Sequence, residues 1–304
     1  MAEVEVWRGG VAQWECDQMG RLNAGFYVAK SMQALAGLAA ELGMAGAFAA
    51  NAEATLVVRE QHIRFLREAR PGAPLRITAG VVDMGQTDAR VLLLMRHASG
   101  DLAATFQIVV AHATARAGRA FPWPDRIRAR AEALKVDIPE AAAARSVSLE
   151  PVETQADLSR ANALGLIRTG LGVIEGRDCD AFGRMRPEGF MLHVSDGVPH
   201  FFAAGRPGGP DLAQNIGGAV LEYRLVHHAW PRAGDRLELR SGFAGGEARF
   251  RRLVHWLLDP DTGRAWGSAE VITAIFDLES RKMITLSDDE LARVRATVAP
   301  GLGL

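Results

Sequence analysis

The sequence predicts an α+β protein made of two tandem units, each a long buried helix wrapped by a curled antiparallel β-sheet. Two observations lead to this prediction. A nine-residue motif occurs once in each half of the chain, and each copy is followed by a helix-like segment and then by several strand-like segments. Because recurrence of one supersecondary pattern indicates a duplicated structural unit, we expect both halves to fold alike.

The motif spans Trp14–Leu22 in the first half and Arg177–Met185 in the second. A cysteine, an aspartate, a glycine and an arginine are identical in the two copies, and both cysteines of the chain, Cys16 and Cys179, fall at one position of the motif. The register then continues with a shift of one residue, as a loop insertion would produce. It pairs Glu60 with Glu222, Gly72 with Gly234, Leu75 with Leu237 and Gly80 with Gly242, and it returns to the offset of the motif where Gly100 pairs with Gly263.

Each unit is predicted to begin with a short strand that leads into the motif, over Val4–Val11 in the first unit and about Leu171–Glu175 in the second. A helix follows over about Phe26–Leu42. Apolar residues cover most of its circumference, which indicates that it is buried. In the second unit, Gly197 and Pro199 fall within the corresponding segment and are expected to break or kink the helix.

Strand-like runs follow each helix, and segments rich in Pro, Gly, Asp and Ser separate them with turn chemistry. The runs are Thr55–Phe65, Leu75–Asp83, Ala89–Ala98 and Ala103–Thr114 in the first unit, and Ala219–Val226, Arg236–Phe243, Ala248–Leu258 and Ala265–Asp277 in the second. Between the units, Phe121–Pro151 carries prolines around a charged helical stretch, Asp125–Leu134, which predicts a linker with an exposed helix. We therefore expect an N-terminal unit over residues 1–120, a helical linker over 121–160 and a C-terminal unit over 161–304.

The composition is that of a soluble globular protein, with 48% hydrophobic and 23% charged residues. The net charge of −1 argues against electrostatic binding of nucleic acid or of an anionic membrane over an extended surface. Two cysteines are too few for a framework of several disulfides or for a metal site built from several cysteines. Residues 1–15 lack the apolar core of a signal peptide, and no uncharged apolar run of about 18 residues occurs, so a cytoplasmic location is expected.

The motif and the order of elements resemble the hotdog fold of acyl-CoA thioesterases. Glu15–Gly20 (Glu-Cys-Asp-Gln-Met-Gly) and Asp178–Gly183 (Asp-Cys-Asp-Ala-Phe-Gly) are similar to the Asp-Cys-Asp-x-x-Gly loop of the 4-hydroxybenzoyl-CoA thioesterase family. Arg21–Tyr27 resembles the Gly-His-x-Asn-x-x-x-Tyr continuation common in that superfamily. Arginine, as Arg21 and Arg184, stands where the family often has histidine. Since the resemblance covers both halves, it implies a tandem double hotdog.

The resemblance implies hydrolysis of an acyl-CoA thioester, without a metal or an organic cofactor. In the family the loop aspartate acts as nucleophile or as base toward water, which implies catalytic roles for Asp17 and its repeat partner Asp180. The N-terminus of the helix supplies backbone N–H groups to the thioester oxygen, here from about Ala24 and Gly25. The positive end of a helix is physically suited to this task, because negative charge develops on that oxygen in the transition state.

Four further residues are candidates for contacts with the substrate. Asn23 suits the N-cap of the helix by position, a role compatible with substrate contact, whereas Tyr27 is either a substrate contact or a core aromatic residue. His193 and Asp196 share one face of the second helix, where metal binding, acid–base catalysis and a structural role are all open. Because Arg186 replaces Asn23 in the second copy, we expect the chemistry in the first unit.

Two other functions stay open. A hotdog hydratase or dehydratase would need a histidine close to the helix start, and no histidine precedes His62 in the first unit. A double hotdog that binds an acyl-CoA or a lipid without turnover is compatible with the altered second copy. The pairing habit of the fold favours a homodimer or a higher homo-oligomer. One arginine-rich stretch suits either a solvated strand face or the phosphates of coenzyme A: Arg59, Arg64, Arg67 and Arg70.

Overall fold

The computed structural model describes residues 3–151, 153–205 and 215–304. The elements of the first half are β1 (Val4–Gly10), α1 (Ala24–Glu41), β2 (Ala54–Phe65), β3 (Pro74–Met84), β4 (Asp88–His97), β5 (Leu102–Thr114) and α2 (Asp125–Ala133). Those of the second half are α3 (Leu158–Ala163), β6 (Ile167–Val173), α4 (Pro187–Ala203), β7 (Ile216–His227), β8 (Arg236–Gly246), β9 (Arg251–Leu258), β10 (Ala265–Asp277) and α5 (Asp288–Ala296).

Strand pairing follows the same plan in the two halves. The first half has the antiparallel order β1-β3-β4-β5-β2, and the second has the antiparallel order β6-β8-β9-β10-β7. In each order the strand before the long helix lies at one end and the strand after that helix lies at the other. The α+β fold with a curled antiparallel sheet, predicted from the sequence, is confirmed.

The long helix α1 is buried against strands of its own unit. Val28, Leu35 and Leu38 have no exposed surface, and the helix contacts β1 and β3. Gly37 allows the closest approach to β1, because a Cβ atom at this position would lie 2.3 Å from the carbonyl oxygen of Val6. The crossing of helix and strand therefore depends on the missing side chain.

The expected break in the second helix is wrong, since α4 runs over Pro187–Ala203 with Pro199 inside it. Gly197 packs tightly there, because an added Cβ would lie 2.9 Å from the Leu239 side chain and 3.1 Å from the Thr169 carbonyl oxygen. The helix also buries four large apolar side chains: Phe190, Met191, Val194 and Phe201. Burial of these groups offsets the one backbone hydrogen bond that proline removes.

The chain forms two compact units. The first comprises residues 1–144 together with 179–188, and the second comprises 145–178 and 189–304. The second copy of the loop, in residues 179–188, is therefore part of the first unit, which the sequence did not indicate. Among the described residues, no helix combines the length and the apolar character needed to cross a membrane.

Part of the predicted linker, residues 121–160, packs into the first unit. Trp123 and Ile127 are buried, and the backbone N–H of Val136 donates to the carbonyl oxygen of Val81 at 2.9 Å. The helix α2 is therefore buried along one face, whereas the sequence predicted an exposed helix.

Candidate functional site

The loop after β1 surrounds the Asp17 carboxylate with four hydrogen-bond donors. Its Oδ1 atom accepts from the backbone N–H groups of Met19 (2.9 Å) and Arg21 (3.0 Å). Its Oδ2 atom accepts from Nε (3.2 Å) and Nη2 (3.1 Å) of the Arg21 guanidinium. Gly20 has a φ of 68°, the left-handed conformation that lets the loop turn back. Asp17 therefore closes its own turn, as aspartate commonly does in loops.

The second copy of the loop has the same geometry around Asp180. Its Oδ1 accepts from the backbone N–H groups of Phe182 (2.8 Å) and Arg184 (2.9 Å), and its Oδ2 accepts from Arg184 Nε (3.2 Å). Gly183 takes the left-handed conformation with a φ of 78°. The aspartate, glycine and arginine that the two motifs share are thus the residues that build this turn.

The arginine in place of histidine changes what the first loop can do. Arg21 lies against two carboxylates, because its Nη1 atom is also 3.5 Å from Glu68 Oε1. The side chains of Arg21 and Asp17 are 16% and 18% exposed, so solvent reaches the pair. Asp17 can attack a thioester or accept a proton from water only if a carboxylate oxygen loses a hydrogen bond from Arg21 and contacts the reactant instead.

The start of α1 is organised by Asn23, which is its N-cap as predicted. The Asn23 side chain accepts from the Gly25 N–H at 2.9 Å, and its carbonyl oxygen accepts from the N–H groups of Phe26 (2.9 Å) and Tyr27 (3.3 Å). Gly25 is thus a less direct oxyanion donor than the sequence suggested. Within the described part of the chain, the N–H of Ala24 is the first-turn donor without a recorded acceptor, as helix starts leave such groups.

Tyr27 has the environment of a core tyrosine. It is 5% exposed, its ring meets Phe65 edge to face with centroids 5.2 Å apart, and its hydroxyl accepts from the Ala69 N–H at 3.1 Å. Burial raises the pKa of Tyr27 to about 12. These contacts favour the structural interpretation that the sequence left open.

A buried ion pair beside the loop was missed by the sequence analysis. Lys30 Nζ donates to both carboxylate oxygens of Glu15, at 2.7 and 2.8 Å, and both residues are buried. Glu15 also accepts from the Ala12 N–H at 2.8 Å, and the Trp7 ring centroid lies 5.6 Å from Nζ. The signal was a single lysine in a largely apolar helix, because a buried lysine requires a nearby counter-charge.

The second copy places histidine and aspartate at the equivalent positions. Aligning Cys16 with Cys179 matches Lys30 with His193, Gln33 with Asp196 and Glu15 with Asp178. Burial lowers the pKa of His193, and the charges of Asp178 and Asp196 oppose that shift. His193 and Asp196 lie on α4 in the second unit, whereas the Asp17 loop is part of the first unit.

The second copy also lacks the backbone donor. The same alignment matches Ala24 with Pro187, and proline has no N–H group. No cluster of three or more His, Cys, Asp or Glu side chains suited to a metal ion occurs in the described ranges.

In a comparison with models of protein families, residues 11–131 match the thioesterase-like superfamily. The matched segment includes the Asp17 loop and α1. No curated protein matches the sequence significantly.

Solved structures match over most of the chain. A protein described as an oleoyl thioesterase from Lactobacillus plantarum superposes with a TM-score of 0.67 at 14% identity, covering 94% of this chain and 98% of its own. The 12:0-ACP thioesterase from Umbellularia californica gives 0.64 at 13% identity, with 88% and 92% covered. An acyl-ACP thioesterase from Bacteroides thetaiotaomicron gives 0.61 at 12% identity, with 88% and 96% covered. At such identities the similarity shows the fold. The chain thus resembles the thioesterase-like superfamily in sequence over residues 11–131, and it has the hotdog fold of solved thioesterases over most of its length.

Proposed function

We propose that this protein is a tandem double hotdog that hydrolyses an acyl thioester, with acyl-CoA as the thioester that the loop motif favours. The observation that carries the proposal is the match of residues 11–131 to the thioesterase-like superfamily, because that segment contains the Asp17 loop and the capped start of α1. Fold similarity to acyl-ACP thioesterases keeps acyl carrier protein as a second carrier to be tested.

The proposed reaction uses two groups of the first copy. The Asp17 carboxylate attacks the thioester carbonyl, or takes a proton from the water that attacks it. The Ala24 N–H, at the positive end of α1, donates to the carbonyl oxygen as it becomes negative. In either route one water is consumed: the C–S bond breaks, one proton of that water goes to the departing thiolate, and the hydroxyl group stays on the acyl carbon, so the products are a thiol and a carboxylic acid. No step in this scheme needs a metal or an organic cofactor, and activity unchanged after treatment with a chelator would agree.

The test is thiol release from a panel of acyl-CoA and acyl-ACP substrates, read with a thiol reagent. We compare the wild type with Asp17→Asn and Asp180→Asn, which make the same change in the same turn geometry. We expect Asp17→Asn to lower kcat at least a hundredfold, which corresponds to about 2.7 kcal/mol of barrier. Asp180→Asn serves as the matched control and should retain most of the activity.

Thermal unfolding of both variants separates chemistry from folding. Both substitutions weaken an aspartate–arginine pair of nearly the same geometry, so similar losses of Tm are expected. A large loss of activity in Asp17→Asn alone then reports on catalysis. Equal losses of activity in both variants, following the losses of Tm, would contradict the role of Asp17.

The Asp17–Arg21 pair favours one second candidate, binding of an acyl thioester without turnover. A carboxylate that already has four donors is poorly placed to attack. This function predicts saturable binding of acyl-CoA by calorimetry and no thiol release from any substrate of the panel.

We also propose that the protein acts in the cytoplasm as a homodimer or higher homo-oligomer. Analytical sedimentation of the purified protein tests the oligomeric state. Asn23 is proposed to contact the substrate in addition to capping α1, and His193 and Asp196 are proposed as a contact region of the second unit.

A further inference from the structure

One edge of the sheet in the second unit is a strand with exposed apolar side chains. β6 pairs with β8 along one side, and no strand of the described residues pairs with its other side. Leu171 and Val173 are 58% and 53% exposed, and a Cβ atom added to Gly172 between them would meet nothing within 4 Å. An open strand edge with apolar side chains is ready to pair with another strand.

The equivalent strand of the first unit carries charged side chains. Aligning the two cysteines of the chain matches three positions of β1 with three of β6: Glu5 with Arg168, Arg8 with Leu171 and Gly10 with Val173. Glu5 and Arg8 form an ion pair with each other, with 2.7 Å between Oε1 and Nε. Charged side chains on an edge strand oppose pairing with another chain. β6 lacks that protection, because leucine stands where β1 has arginine.

The backbone groups at the open edge belong to Leu171 and Val173. The N–H of Ile174 donates to the carbonyl oxygen of Asp235 at 2.9 Å, and the Ile174 carbonyl oxygen accepts from the Gly234 N–H at 2.9 Å. Ile174 therefore directs its polar groups toward the segment that leads into β8. Since successive residues of a strand direct these groups to opposite sides, Leu171 and Val173 direct theirs to the open side.

A β-bulge places Arg168 on the same face of the strand as the two apolar side chains. The register of β6 with β8 shifts between Arg168 and Gly170, so Thr169 and Gly170 together take up one step of the strand. Thr169 is buried, and its hydroxyl oxygen lies 2.9 Å from that of Ser241 in the interior. Four exposed side chains therefore follow one another along one face: Arg168, Leu171, Val173 and Glu175.

We propose that the open edge of β6 binds the same edge of a second copy of this chain. The two strands run antiparallel with Gly172 on the two-fold axis, so that Leu171 of each copy lies opposite Val173 of the other. At the next position on this face, Arg168 lies opposite Glu175 of the other copy, because the bulge takes up one residue. The order of side chains is thus its own complement, as a two-fold interface between identical chains requires.

The charges at the two ends of this face favour a second copy as the partner. Arg168 is exposed, and its side chain forms no hydrogen bond or ion pair within the described residues. Glu175 contacts Arg177 at 3.0 Å, with side chains 57% and 77% exposed, and such exposed pairs contribute little. Glu175 can therefore also pair with Arg168 of the other copy. This surface rests on the homo-oligomer proposed above and does not depend on thioester hydrolysis.

Sedimentation velocity of the full chain over about 1–100 μM tests the edge, because a contact between two strands is a small interface and small interfaces are weak. We compare the wild type with Leu171→Arg, which introduces the residue that β1 has at this position. Leu66→Arg is the matched control, since Leu66 is an exposed leucine of the first unit. We expect the wild type and Leu66→Arg to dimerise, and the dissociation constant of Leu171→Arg to be roughly tenfold higher or more. A monomeric wild type, or equal dissociation constants in the wild type and Leu171→Arg, overturns the proposal.

Exchange of the two charges tests the register. Arg168→Glu places two carboxylates opposite each other at both ends of the interface, so it should weaken the dimer several-fold. The double variant Arg168→Glu/Glu175→Arg restores opposite charges and should return the dissociation constant to within about twofold of the wild-type value. A loss of association in Arg168→Glu that the second substitution does not reverse overturns the register about Gly172.

Circular dichroism and Tm, measured below the dissociation constant, show whether each variant retains the fold. Because Leu171 and Arg168 are exposed, we expect no change of either. A dimer that Leu171→Arg leaves intact refutes this surface while the homo-oligomer stands. Thiol release enters none of these readouts, so failure of the thioesterase proposal is detected separately.

Discussion

The buried pair of Glu15 and Lys30 gives the sharpest test of how the first loop is held. Glu15 and Lys30 are 8% and 5% exposed, and Lys30 Nζ meets both oxygens of the carboxylate. In Lys30→Met the carboxylate stays buried with the Ala12 N–H as its remaining donor among the contacts described. Loss of one partner of a buried ion pair costs about 3–5 kcal/mol. That is a large part of the roughly 5–15 kcal/mol by which a typical domain is stable.

The matched control removes both charges. In the double variant Glu15→Gln/Lys30→Met, the glutamine oxygen still accepts from the Ala12 N–H, and neither of the two buried side chains carries a charge. Replacement of a whole buried ion pair by neutral groups is often close to neutral. We therefore expect the double variant to lose less than about 2 kcal/mol and to be more stable than Lys30→Met.

Urea unfolding followed by tryptophan fluorescence measures both variants, since Trp7 lies beside Lys30. Circular dichroism on the same samples shows whether the transitions coincide, which is needed for a two-state free energy. If Lys30→Met costs less than about 1 kcal/mol, or if the double variant is no more stable than Lys30→Met, the reasoning from burial is refuted.

Three further predictions address the core. Gly37→Ala should destabilise the first unit by about 2 kcal/mol or more in urea unfolding, because its methyl group would meet the Val6 backbone; an unchanged midpoint contradicts this close contact. Burial lowers the pKa of His255 to about 4, below the usual 6.5, so the stability that its neutral ring contributes is complete above about pH 6.5 and is lost as the pH falls to about 4. This amounts to about 3 kcal/mol, and His255→Asn should flatten the pH dependence of unfolding in that window while keeping a polar partner for Ser241. Tyr27→Phe should lower stability by about 1 kcal/mol or more, since it leaves a buried N–H without an acceptor, while kcat for thiol release changes less than twofold; a much larger loss of kcat would assign Tyr27 to the site.

The overall fold could be predicted because its signals are local and occur twice. The repeated loop, the apolar helix and the turn residues between strands fixed the order of elements, and the position of Asn23 before the helix identified its cap. The expected break at Pro199 failed for a tertiary reason. A proline removes one backbone hydrogen bond from the helix. Burial of the apolar residues around it stabilises the helix by more than that hydrogen bond contributes.

The charged contacts could not be predicted, since they depend on which elements meet. Nothing in the spacing of Glu15 and Lys30 shows that the loop folds back onto the helix. Nor does the sequence show that residues 179–188, which contain the second copy of the loop, belong to one unit with residues 1–144. The sequence also did not show that the Arg21 guanidinium would donate to one of the Asp17 oxygens.

The two loops show that a recurring motif and a recurring activity are separate matters. Asp17 and Asp180 have matching backbone hydrogen bonds, so the turn alone is sufficient reason for the shared aspartate, glycine and arginine. The chemistry must then be decided by what surrounds each turn. Ala24 offers a backbone donor at the first loop, whereas Pro187 at the second has none. Arg21 lies within 3.5 Å of two carboxylates, those of Asp17 and Glu68, whereas the carboxylate that pairs with Arg184 is that of Asp180. The shared turn therefore does not make the two copies equivalent, because they differ in the backbone donor at the helix start and in the carboxylates beside the arginine.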